Sequence, residues 1–179
     1  MEFKLDRLGQ YNLRKRIECV LPHIRGELLD IGCGGNHLVK SYSKKGTGVD
    51  VHRWNGVDIV IKDSAKLPFE DEKFDTVTIL AALNHITNRD DVLKEIHRVL
   101  KKDGIVIITM LGPKFSKFWH FIRKKRDPDQ HERHIHDEEV WGFTDDELIK
   151  LLENAGFNVT LKKKFDVGLN TMMIAEKSN

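Results

Sequence analysis

The sequence predicts an α/β fold: a doubly wound, mostly parallel sheet of seven strands, helices on both faces, and the last strand antiparallel. Three observations lead there. Short apolar runs of strand length alternate with segments of helical periodicity. The run Ile105 to Thr109 (IVIIT) is apolar on both faces, as a central strand of a parallel sheet is. The last two apolar runs are separated only by Lys163 to Gly168, too short for a crossover, so they pair antiparallel.

The elements follow in order. Leu13, Ile17, Val20 and Leu21 space as one face of an N-terminal helix, which Pro22 ends or bends. Glu27 to Ile31 is the first strand and runs into Gly32-Cys33-Gly34-Gly35. A second helix spans 36–45 and stops at Gly46. Strands follow at Thr47 to Val51, Val57 to Ile61 and Phe74 to Leu80. Val92, Leu93, Ile96, Val99 and Leu100 form a helical stripe, with Asp90 and Asp91 at its start and Lys101 and Lys102 at its end. Gly104 closes that helix before strand five. Thr144 and Glu147 make a capping box, and Leu148, Ile149, Leu151, Leu152 and Ala155 supply the buried face behind it. Phe157 to Leu161 and Leu169 to Ala175 are the last strands. Residues 112–143 differ in kind, mixing prolines, aromatics, basic residues and four of the nine histidines, and read as an inserted lid over a substrate.

The chain has 179 residues, enough for one domain with a substantial core and little room for a second. We expect a single domain over 1–179, with residues 1–25 as an N-terminal helix or cap. An apolar share of 40% argues against wholesale disorder. Thirty basic residues against 28 acidic ones give no composition-level argument for nucleic acid, and no DNA partner is expected. Two cysteines, Cys19 and Cys33, cannot build a disulfide framework. No apolar run nears the roughly 20 residues of a membrane span, and no signal-peptide core begins the chain, so the cytoplasm is the expected location.

Two motifs carry chemistry. Asp30-Ile31-Gly32-Cys33-Gly34-Gly35-Asn36 joins a strand end to a helix start, where glycines let backbone approach a ligand. Asp50 ends the second strand 18 residues after Gly32, placed to bind the two hydroxyls of a ribose. A dinucleotide loop of the form Gly-x-Gly-x-x-Gly would need glycine at 37, and that residue is His37.

These segments resemble the class I S-adenosylmethionine-dependent methyltransferases. Leu28 to Asn36 is similar to motif I, Gly48-Val49-Asp50-Val51 to the second motif, and Asp63 to Phe69 (DSAKLPF) to the adenine-side loop. Phe74 through Ile86 resembles motif IV, Leu93 to Gly104 the helix and turn before strand five, and Phe143 to Phe157 the late helix. The resemblance spans about residues 27–175 and points to the group of small methyltransferases acting on quinones, lipids, sugars and other metabolites. It implies a Rossmann-like fold and S-adenosyl-L-methionine as cofactor, with S-adenosyl-L-homocysteine as product. By resemblance, Gly32, Cys33 and Gly34 pass under the methionine part, and Asp30 anchors the loop and reaches the amino group. Asp50 holds the ribose, Val51 packs on adenine, and Asp63, with Ser64 beside it, accepts from the adenine amine. Backbone at Leu80 and Ala81 receives the ammonium. The third glycine of the family pattern is Asn36 here, a residue that tolerates positive φ. Ala81-Ala82-Leu83-Asn84 lacks the Asn/Asp-Pro-Pro-aromatic signature of enzymes that methylate adenine or glutamine amide nitrogens.

Methyl transfer from a sulfonium needs alignment and exclusion of water more than a catalytic side chain. A base helps when the acceptor is a hydroxyl, a carbon acid or a protonated amine. The candidates are His85, just after strand four, and His131 and His134 in the 131–136 stretch. That stretch lacks a helical His-x-x-x-His pair, so no metal is expected. Tyr11 and Arg14 are candidates to cap the cofactor. Lys114, Lys117, Arg123, Lys124, Lys125 and Arg126 interleave with Phe115, Phe118, Trp119 and Phe121. The plain reading of that run is an amphipathic lid helix; the functional one is contact with an anionic or lipid-like small substrate. The expected function is methyl transfer to a small-molecule acceptor. An RNA- or protein-directed methyltransferase and a non-catalytic cofactor-binding accessory protein stay open as alternatives.

Overall fold

A computed structural model describes residues 5–112 and 142–178. The chain runs α1 (Arg7–Val20), β1 (Leu28–Ile31), α2 (His37–Ser41), β2 (Gly46–Asp50), β3 (Ile59–Val60), β4 (Phe74–Leu80), α3 (Arg89–Val99) and β5 (Leu100–Leu111). It continues through α4 (Asp145–Asn154), β6 (Phe157–Phe165) and β7 (Asn170–Lys177). Short 3-10 turns occupy Leu21–His23 and Leu83–His85. The seven strands form one sheet in the order β3-β2-β1-β4-β5-β7-β6. The first five are parallel, and β7 runs antiparallel to both β5 and β6. The chain reverses its direction of travel across the sheet between β1 and β4. That switch point opens a crevice outside the carboxyl ends of the strands.

Alternation of side chains along the strands sorts the core into two clusters. One face of the sheet packs Val92, Leu93, Ile96 and Val99 of α3 and Leu148 and Leu152 of α4 against Leu29, Ile31, Val77, Ile79 and Val106. The other packs Val20 of α1 and Leu38 of α2 against Leu28, Ile105, Ile107 and Met172. The α3 stripe is fully buried, which is what its 3.6-residue periodicity implied. The capping box is present: Thr144 accepts from the Glu147 N–H at 3.3 Å, and Glu147 accepts from the Thr144 N–H at 2.7 Å.

Several element boundaries differ from expectation. Helix α3 ends at Val99 rather than running to Lys102, because the buried Leu100 pairs with Phe74 and starts β5. Lys101 then lies in the strand, where its ammonium meets both carboxylate oxygens of Asp75 at 2.9 Å. Helix α2 is only five residues long. The last two strands extend beyond the predicted runs, to Phe165 and Lys177. The largest difference is in α1. Its buried residues are Gly9, Asn12 and Val20, while Leu13, Ile17 and Leu21 are only partly covered. The segment expected to form a lid, with His131, His134 and the basic-aromatic run, lies outside the described residues.

Candidate functional site

The crevice at the switch point collects the expected cofactor residues on the carboxyl ends of β1, β2 and β4 and on the loop after β3. The glycine loop is shaped by backbone that side chains resist: Gly32 and Gly34 have φ of +70° and +52°. A Cβ on Gly32 would sit 2.8 Å from that of Ala82. Asn36 takes the left-handed conformation at φ +60° and starts α2. Its amide donates to the Gly56 carbonyl and to Asp58 Oδ2, both at 2.9 Å. Asp58 Oδ2 also accepts from the Gly48 N–H at 2.8 Å. Gly48 gives this lock its room, since a Cβ there would meet Asn36 Oδ1 at 2.0 Å. The sequence singled out neither Asp58 nor this use of Asn36; an amide in place of glycine at a turn needing positive φ was the available signal.

Asp50 is 3% exposed and lies directly beneath the loop. Its two oxygens accept from the N–H groups of Gly34 and His52, each at 2.9 Å. Each oxygen keeps a second lone pair for a hydroxyl. Val51, beside it, is 48% exposed, an apolar surface at the edge of the crevice. Asp30 is buried, accepts from Thr78 Oγ1 at 2.7 Å, and has no cationic partner among the described residues. Burial, with the neighbouring Asp50 charge added, pushes its carboxyl up to about 7. Burial likewise pushes the Cys33 thiol up, so it stays protonated.

On the loop after β3, Asp63 Oδ1 accepts from the Ala65 N–H at 2.9 Å and from Asn88 at 3.2 Å, and these donors hold its carboxyl below the ordinary range. The loop is fastened to α3. Glu95 Oε1 accepts from the Leu67 N–H at 2.8 Å, and Arg98 donates to the Phe69 carbonyl at 2.9 Å and to Glu95 at 2.7 Å. The sequence singled out neither Glu95 nor Arg98, because nothing local reveals that a loop lands on them. At the end of β4, Ala81 has φ +53°, a strained turn for a residue with a Cβ, and its N–H donates to the Thr109 carbonyl at 2.8 Å. His85 is half-buried, and its Nε2 lies 3.1 Å from Asn84 Nδ2. If that amide donates, the ring proton sits on Nδ1 and the Nε2 lone pair is engaged. Tyr11 and Arg14 line a recess of about 660 Å³ between α1 and α2, next to His37.

The donor set is one of acceptors. Asp30 near the end of β1, Asp50 at the end of β2 and Asp63 on the loop after β3 all lie toward the carboxyl edge of the sheet and all present acceptor oxygens. A model of a methyltransferase domain matches residues 29–108. A demethylmenaquinone methyltransferase of Thermotoga maritima is 26% identical over 181 residues, covering 85% of this chain and 79% of that protein. A ubiquinone/menaquinone biosynthesis C-methyltransferase of Burkholderia mallei is 31% identical over 57% of this chain, which spans only 48% of that protein. A solved chain from the complex of the Haloferax volcanii Trm112 methyltransferase activator with a methyltransferase superposes with a TM-score of 0.73 at 16% identity, covering 94% of this chain and 90% of that one. The fold, the crevice and these relatives define a methyltransferase domain. Over residues 29–108 and along most of its fold the chain is similar to the class I S-adenosylmethionine-dependent methyltransferases, a family whose cofactor is S-adenosylmethionine.

Proposed function

We propose that the protein methylates a small-molecule acceptor at the carboxyl edge of its sheet. The observation that supports this best is the arrangement of Asp30, Asp50 and Asp63 at the carboxyl edge of the sheet, with a buried carboxyl at Asp30 that lacks a countercharge among the described residues. The bound cofactor supplies a methyl group on a sulfonium, open to in-line attack. Asp30 would take the amino group, Asp50 the ribose hydroxyls and Asp63 the adenine amine. The glycine loop would lie under the methionine part, with Leu80 and Ala81 beside it. The chain's own task is to align and to exclude water, and no side chain need exchange a proton unless the acceptor is an acid. His85, on the turn after β4, is the described candidate for that step. The quinone methyltransferases among the relatives support a small organic acceptor over a macromolecule.

Calorimetry with S-adenosylhomocysteine, followed by transfer of labelled methyl into metabolite, lipid and RNA fractions, tests this reading. We expect micromolar binding and label in the metabolite or lipid fraction. No heat with this ligand but clear heat with NADH would overturn it. Binding with label only in RNA would replace the small acceptor.

A further inference from the structure

The buried side of α1 changes character along its length. Its C-terminal half presents Val20 to the apolar cluster, while its N-terminal half presents Gly9, Asn12 and, one turn on, Arg16. A network fixes that half at the β7 end of the crevice. Arg16 Nη2 donates to Asn170 Oδ1 at 3.2 Å, Asn170 Nδ2 donates to Asp166 Oδ2 at 3.4 Å, and Tyr11 donates to Asp166 Oδ1 at 3.4 Å. Asn170 is 1% exposed, and as the first residue of an antiparallel strand it lies at the same edge where the parallel strands end. That hydrogen bond is the only one Arg16 makes among the described residues, and its Nε is buried without a partner. No carboxylate pairs with it there. Burial draws its guanidinium down to about 10, with Asp166 pulling the other way. Alternation along β5 turns Thr109 to this same face, and its hydroxyl is also buried without a partner among the described residues.

A guanidinium whose Nε–H is buried without a partner among the described residues, oriented by an asparagine that is itself held, is a costly arrangement unless something completes it. Guanidinium forks match planar or tetrahedral oxyanions. The position tells acceptor from cofactor. The strands that carry Asp50 and Asp30 are β2 and β1, whereas Asn170 is on β7, three strand spacings or roughly 14 Å beyond β1. We propose that Arg16, oriented by Asn170, holds an anionic oxygen group of the acceptor, a carboxylate or a phosphate, with Thr109 beneath it on the same face of the sheet. This rests on the methyltransferase reading and narrows its substrate class to an acid. Arg16 would then be a specificity-determining residue of the acceptor pocket.

The test titrates benzoate, phenyl phosphate and neutral benzamide into the protein, with and without saturating S-adenosylhomocysteine. Arg16→Gln keeps a donor for Asn170 without the charge, and Arg16→Lys keeps the charge without the fork. We expect saturable millimolar binding of at least one anion and none of benzamide. Arg16→Gln should weaken the anion at least tenfold, Arg16→Lys should weaken it less, and both should leave S-adenosylhomocysteine affinity within twofold. The benzoate and phenyl phosphate arms decide between carboxylate and phosphate. Equal binding of benzamide, no saturable binding of either anion, or an Arg16→Gln variant that binds anions unchanged overturns the proposal. Loss of S-adenosylhomocysteine affinity in a folded Arg16→Gln also overturns it, because the arginine would then serve the cofactor carboxylate. If the wild type fails to bind S-adenosylhomocysteine, the methyltransferase reading falls, while the anion titration without it still judges Arg16.

Discussion

Asp30 and Asp50 are both buried beneath one loop, yet they answer to different neighbours. Asp50 accepts from two backbone N–H groups, and in the proposed function it also holds a ribose through a pair of charge-assisted bonds. Asp50→Ala should weaken S-adenosylhomocysteine by about 1–3 kcal/mol, read by calorimetry; an unchanged affinity would place the ribose elsewhere. Asp30 has a hydroxyl and, among the described residues, no cation. Its carboxyl, raised to about 7, binds more protons folded than unfolded, so it disfavours the fold progressively as pH climbs from the ordinary carboxylate range to about 7. A bound ammonium lowers that value again. Binding just below pH 7 should therefore release a proton, and affinity should rise through about pH 7 and then level. Titrations in buffers of differing ionisation enthalpy count that proton, and Asp30→Asn should abolish it. Proton uptake, or a flat profile in the wild type, would contradict the assignment.

At the scale of elements, α4 shows a capped helix read correctly and α1 shows a periodicity that holds for its C-terminal half and misses its N-terminal half. Thr144→Ala breaks the capping box and should cost about 1 kcal/mol, a fall in Tm of roughly 2–4 °C, while leaving the affinity for S-adenosylhomocysteine unchanged. A loss of affinity would mean that α4 supports the crevice directly. The signal at Thr144 and Glu147 was local, and a local rule sufficed. In α1 the same kind of rule chose Leu13, Ile17, Val20 and Leu21, because apolar spacing was the strongest pattern in view. The structure buries Val20, packs Ile17 and Leu21 against the same cluster, and also buries Gly9 and Asn12, since the N-terminal half of the helix faces polar groups of the sheet edge. No local pattern marks a polar side chain as buried when its partner, Asn170, lies 154 residues away. The same holds for Glu95 and Arg98 under the Asp63 loop. The positions of the glycine loop, Asp50 and Asp63 at the carboxyl edge of the sheet were legible because they lie in short segments with fixed spacing.

For the whole molecule, the crevice is assembled from loops that the sheet holds but does not itself stiffen. A ligand bridging the loops after β1, β2, β3 and β4 ties four separate segments to one body. At a hundred times its Kd, S-adenosylhomocysteine should stabilise the protein by about 2.7 kcal/mol. Hydrogen exchange should slow at residues 32–36, 50–52, 63–67 and 80–85, with little change at the amino ends of the strands. Protection confined to the 53–60 segment, which lines a separate recess of about 760 Å³, would move the site away from the switch point. The two rims of the sheet have a consequence of another kind. One rim is β3, two residues long, and the other is β6, which carries Lys162, Lys163 and Lys164 in a row. A strand from a stray chain finds too little backbone to grip on the first and a wall of ammonium groups on the second. The sheet is thus guarded against growing by addition of strands, and replacing those lysines with valine should make the protein precipitate at concentrations the parent tolerates.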